Sequence, residues 1–98
     1  PVTRATTGND RVWIKRYGKG DNTYFALFNP TDEAQSFRLT VDLKALQVEA
    51  KGLWEVLADK ALPATATAGT LQATGSLGSE SLLVLRLATG GPAKPTRR

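Results

Sequence analysis

The tightest constraint in the chain is the alternation over residues 36–43. Phe37, Leu39, Val41 and Leu43 point one way, and Ser36, Arg38, Thr40 and Asp42 point the other. Side chains switch faces with a period of two only on an extended strand. The segment therefore predicts a strand with one wet face and one apolar face that needs a second layer to cover it. Other short runs of the same kind follow one another along the chain, separated by turn residues every ~8 to 12 positions, with no long segment of helical period. The expectation is an all-β fold, an antiparallel Greek-key β-sandwich of about six to eight strands. No motif recurs at a fixed spacing, so a propeller or solenoid is not indicated.

Residues 11–17 predict a strand in which Val12 and Ile14 face the core. Gly18, Lys19, Gly20, Asp21 and Asn22 then predict a hairpin turn, because glycine tolerates positive φ and Asp and Asn bond locally to backbone. Residues 23–29 are apolar and aromatic at both parities, the pattern of a central strand covered on both sides. Pro30 breaks that run, since it lacks a donor and holds Asn29 extended. Asp42 is placed as the N-cap of a helical turn over residues 42–46. Further strands are expected over residues 52–57, 70–74 and 82–87, with a turn over 75–81, and with loops and one short edge strand over 58–69. The domain organisation expected is an arm or linker at 1–10, the sandwich at 11–88 and a tail at 89–98, the chain being a piece from the C-terminal end of a larger protein.

A length of 98 residues with 41% apolar content suits one modest core. The formal charge of +4 raises the question of nucleic acid, and the location of the charge answers it. Lys94, Arg97 and Arg98 lie in the tail and Arg4 in the arm, so the body between them is electrically balanced and carries no basic stripe for a phosphate backbone. No apolar run approaches the ~18 residues of a membrane span, so neither nucleic acid nor membrane is expected as a partner. The chain contains neither His nor Cys, which removes the commonest general base, the thiol nucleophile and nearly every zinc site. The acids are scattered over turns. Asp32 and Glu33, neighbours in one turn, read as solvated residues and not as a glycosidase pair. Gly18 to Gly20 lacks the glycine spacing of a phosphate loop, and Asp21 with Asn22 is too sparse for a calcium loop. No catalytic residue, metal or cofactor is expected.

The aromatic residues are more informative. With Val12 and Ile14 inward, Trp13 and Tyr17 share the opposite face of their strand with the stem of Lys15. An outward Trp beside a Tyr suits packing against a partner domain or stacking on a sugar ring, because both uses need a broad apolar face with a polar edge. Trp13, Lys15 and Tyr17 are the candidate site residues, and Tyr24 and Trp54 are expected in the core.

Residues 12–16 (Val-Trp-Ile-Lys-Arg), the turn Gly18-Lys19-Gly20-Asp21, the run Phe25-Ala26-Leu27-Phe28-Asn29 with Thr31-Asp32-Glu33, and the closing residues 82–87 together resemble a known domain. The stretch 11–88 is similar to the C-terminal β-sandwich of glycoside hydrolase family 27, the α-galactosidase and α-N-acetylgalactosaminidase group. It departs from the family's usual Asp-Leu-Trp run at Val56-Leu57-Ala58-Asp59-Lys60. The resemblance implies a non-catalytic accessory domain that packs on and stabilises a catalytic (β/α)8 barrel of the same parent chain, with the face of Trp13 against the barrel. It also implies a secreted or periplasmic location and self-association of the domain when isolated. A carbohydrate-binding module, with Trp13, Tyr17 and Tyr24 as stacking surfaces, is the first alternative. An immunoglobulin-like protein-interaction domain is the second.

Overall fold

The computed structural model describes residues 4–88. Its elements in chain order are β1 (Ala5–Thr6), β2 (Trp13–Tyr17), a 3-10 turn (Gly20–Asn22), β3 (Tyr24–Phe28), β4 (Gln35–Asp42), α1 (Leu43–Leu46), β5 (Gly52–Glu55), β6 (Lys60–Leu62), β7 (Thr65–Thr67), β8 (Thr70–Leu77) and β9 (Leu82–Ala88). The strands form two antiparallel sheets. One has four strands in the order β1-β4-β8-β7, and the other has five in the order β2-β3-β9-β5-β6. The all-β sandwich expected from the alternation is the fold.

The core lies between the sheets and is built from the apolar parity of each strand. Phe37, Leu39 and Val41 of β4 and Leu71, Ala73 and Leu77 of β8 meet Phe25, Leu27, Leu53, Leu85 and Leu87 of the five-stranded sheet. Several of these are fully buried, and each such side chain contributes about 1.5–3 kcal/mol relative to exposure. The Asp42 cap forms as expected, its carboxylate accepting from the Ala45 N–H at 3.0 Å. Gln47, in the left-handed conformation at φ 57°, ends the helical turn. The hairpin between β2 and β3 turns on Gly18 at φ +77°, where a Cβ would collide with the Asn22 carbonyl oxygen.

Four expectations are corrected. Ordered structure begins before residue 11, because β1 pairs with β4 through Ala5↔Val41 and Thr6↔Thr40. Within that segment Ala5 and Thr7 are buried, and the Asn9 side-chain amide donates to the Ser36 carbonyl at 2.7 Å. A short polar stretch is held here by hydrogen bonds to a distant strand, which periodicity does not register. Next, β8 runs through Gly75 instead of turning there: the Phe37 ring occupies the space a side chain would take, with Cζ 2.9 Å from the position of a Cβ. Residues 58–69 supply two short strands and not one, β6 in one sheet and β7 in the other, with Pro63 and Ala64 carrying the chain across. This brings the strands to nine among the described residues. Finally, β5 stops at Glu55, and the next residues turn, with the Asp59 N–H donating to the Glu55 carbonyl at 2.7 Å. The expected tail, with Lys94, Arg97 and Arg98, lies outside the described residues.

A buried asparagine clasps the two sheets at one end. The Asn29 side chain is fully buried. Its Nδ2 lies 2.7 Å from the Glu33 carbonyl, 3.0 Å from that of Leu77 and 2.9 Å from that of Gly78, while Oδ1 accepts from the Thr31 N–H at 2.9 Å. One side chain thus ties the end of β3 to the β8–β9 loop and to its own turn.

Candidate binding face

The outward surface of the five-stranded sheet follows from strand register. Residues directly opposite in an antiparallel pair share a face, so each row can be traced from strand to strand. Trp13 pairs with Phe28 and Phe28 with Leu82, which makes one row. Lys15, Ala26 and Val84 make the next. Tyr17, Tyr24, Arg86 and Trp54 make the third, running across four strands. The alternate residues, among them Phe25, Leu27, Leu53 and Leu85, face the core, so all three rows face away from it.

The three residues singled out in sequence lie together on this face at the β2 edge. Trp13 is 60% exposed and Tyr17 is 52% exposed, with Lys15 exposed between them. The Lys15 ammonium sits over the Tyr17 ring, 5.8 Å from its centroid, and the Trp13 and Phe28 rings pack at 6.0 Å with a 54° tilt. Inward-facing Val12 is buried and Ile14 half-buried against the core, as the alternation requires.

Tyr24 and Trp54 are a correction, because both were expected in the core. They stand half-buried in the outward row that includes Tyr17. The reason lies in β3, which is apolar at both parities: Thr23, Phe25, Leu27 and Asn29 take the inward side and leave Tyr24, Ala26 and Phe28 outside. Five of the seven aromatic residues, Trp13, Tyr17, Tyr24, Phe28 and Trp54, therefore lie on the outer face, and only Phe25 and Phe37 serve the core. Sequence did hold a signal for the missed residues, in the two-sided apolar character of residues 23–29. That pattern marks a strand covered on both sides, and among the described residues only the inner side is covered by the second sheet.

The strand positions of this face carry two charges, Lys15 and Arg86, both cationic. Arg86 is half-buried and stands in register between Tyr24 and Trp54. The arrangement offers apolar area with two positive charges among the aromatic side chains. Among the described residues no group of three or more acids stands close enough to hold a metal ion. Comparison of the chain with family models, with curated proteins and with solved structures gave no match.

Proposed function

We propose that this chain is a non-catalytic accessory sandwich whose outer aromatic face packs on a partner domain. This is the role implied by the resemblance to the C-terminal sandwich of glycoside hydrolase family 27, with a catalytic barrel of the same parent chain as partner. The observation that carries the reading is the concentration of aromatic residues on the outer face of one sheet. Aromatic side chains are enriched where surfaces become buried in complexes, and a contiguous patch of them on a free surface favours association. The face spans about 19 Å across its strands and about 17 Å along them, roughly 300 Å² in projection, from the usual strand and residue spacings. That matches one side of a modest interface between domains of one chain and falls short of the ~800 Å² per partner of a stable complex between free proteins. A tethered partner fits better, because tethering supplies effective concentration where area is small.

The test compares acrylamide quenching of Trp13 and Trp54 in the 98-residue chain and in the complete product of its reading frame. Trp13 should be readily quenched in the short chain and protected in the complete one. Equal quenching in both sinks the reading. A saturable fluorescence change on titrating the short chain with β-linked and α-galactosyl oligosaccharides would favour the sugar-binding module instead.

A further inference from the structure

The outer face is not flat, and its relief narrows what can lie on it. The row of Trp13, Phe28 and Leu82 and the row of Tyr17, Tyr24 and Trp54 form two ridges of large side chains. Between them lies a row with small floor residues, Ala26 and Val84, and Lys15 leans out of it onto the Tyr17 ring. Positions 13 and 17 are four residues apart on one strand, so the ridge lines are about 13–14 Å apart at the backbone. An α-helix with its side chains measures ≈10–12 Å across. The floor continues toward β5 through Val56, whose N–H donates to the Val84 carbonyl at 2.9 Å. Its length over three strand spacings is then about 14 Å, or roughly nine to ten residues of helix.

The charges add a direction. The Lys15 ammonium lies against Tyr17, and Arg86 belongs to the same ridge two strands away. Both cations therefore flank one side of the channel, about 10 Å apart. Along a helix lying in the channel, about 10 Å is a separation of seven residues, which returns to the same flank.

Resting on the reading that this face docks a partner domain, we propose that the docking element is an amphipathic α-helix lying across the strands of the five-stranded sheet. Its apolar stripe sits on Ala26 and Val84 between the two aromatic ridges. One flank carries two carboxylates at i and i+7 that meet Lys15 and Arg86. The ridges supply apolar area, and the two cations set the helix's register and direction.

The test places a photo-crosslinking benzoylphenylalanine at Phe28 or at Tyr24, aromatic for aromatic on opposite ridges, in the complete gene product, and maps the adducts by mass spectrometry. Both positions should capture one helical segment on its two opposite flanks, and the flank reached from position 24 should carry acids seven residues apart. Adducts on a strand or loop, or on a helix without those acids, overturn the helix while leaving the docking reading intact. Adducts on a second copy of the chain, or none at either position with Trp13 still open to quencher, overturn both. In parallel, Lys15→Glu combined with Arg86→Glu should raise the quencher-accessible fraction of Trp13 in the complete protein by about tenfold. Lys15→Gln with Arg86→Gln should raise it less, and the melting temperature of the isolated domain should hardly move in either case. An unchanged fraction in the charge-reversed protein overturns the assignment of the two cations.

Discussion

The two outer surfaces of the sandwich answer the same backbone requirement in opposite ways. On the four-stranded sheet the outward positions include Thr6, Thr40, Thr65, Thr67, Thr70 and Thr74, with Ser36, Ser76, Arg38 and Gln72 among them. Threonine keeps the β-branched shape that suits a pleated surface and presents a hydroxyl to water. On the five-stranded sheet the corresponding positions hold Trp13, Tyr17, Tyr24, Phe28 and Trp54. Strand propensity is satisfied equally by both sets, so propensity does not account for the difference. What separates them is chemical character, hydroxyls on one face and a concentration of aromatic rings on the other, and the proposed docking of a partner rests on that difference.

If the two sheets differ only on their outer faces, their inner faces should respond alike to truncation. Leu39→Ala in one sheet and Leu85→Ala in the other, both fully buried, should each cost about 2–5 kcal/mol in urea unfolding, with similar losses in the two sheets. A loss confined to one sheet would mean that the sheets differ in their cores as well. Asn29→Ala should come next, at roughly 2–3 kcal/mol by the same measurement, because it leaves the carbonyls of Leu77 and Gly78 without their donor where the sheets are clasped.

Smaller effects separate the faces themselves. Trp13→Ser with Tyr17→Thr, which gives the β2 edge the character of the opposite surface, should change the stability of the isolated domain by about 1 kcal/mol or less. The same pair should reduce its concentration-dependent self-association in sedimentation. Unchanged sedimentation would show that the aromatic face has no special tendency to associate. Thr74→Val on the hydroxyl face should stay within about 0.5 kcal/mol in stability and leave sedimentation as it was.

Much of this molecule was legible one strand at a time. The alternation of β4, the Asp42 cap and the outward set of Trp13, Lys15 and Tyr17 follow from local patterns, because each depends on residues a few positions apart. What was not legible depended on partners far along the chain. Residues 5–9 looked like an arm, having little apolar content, yet they are ordered by pairing with β4 and by the bond from Asn9 to Ser36. Gly75 looked like a turn residue until Phe37 filled its empty side.

Local alternation was enough to settle the fold class and the parity of every strand in which apolar and polar residues alternate, since burying the polar set would strand side chains without partners. Tertiary structure alone decided the strands that are apolar at both parities. In β3 either face could have turned inward on hydrophobicity alone. Pairing with β9, which brings Phe25 beside Leu85 and Tyr24 beside Arg86, sent the tyrosine outward. Pairing of β9 with β5 then set Trp54 in the same row. A face assembled from four strands distant in sequence exists only once their register is fixed, because period two assigns side chains to sides of a strand but does not say which strands will lie together.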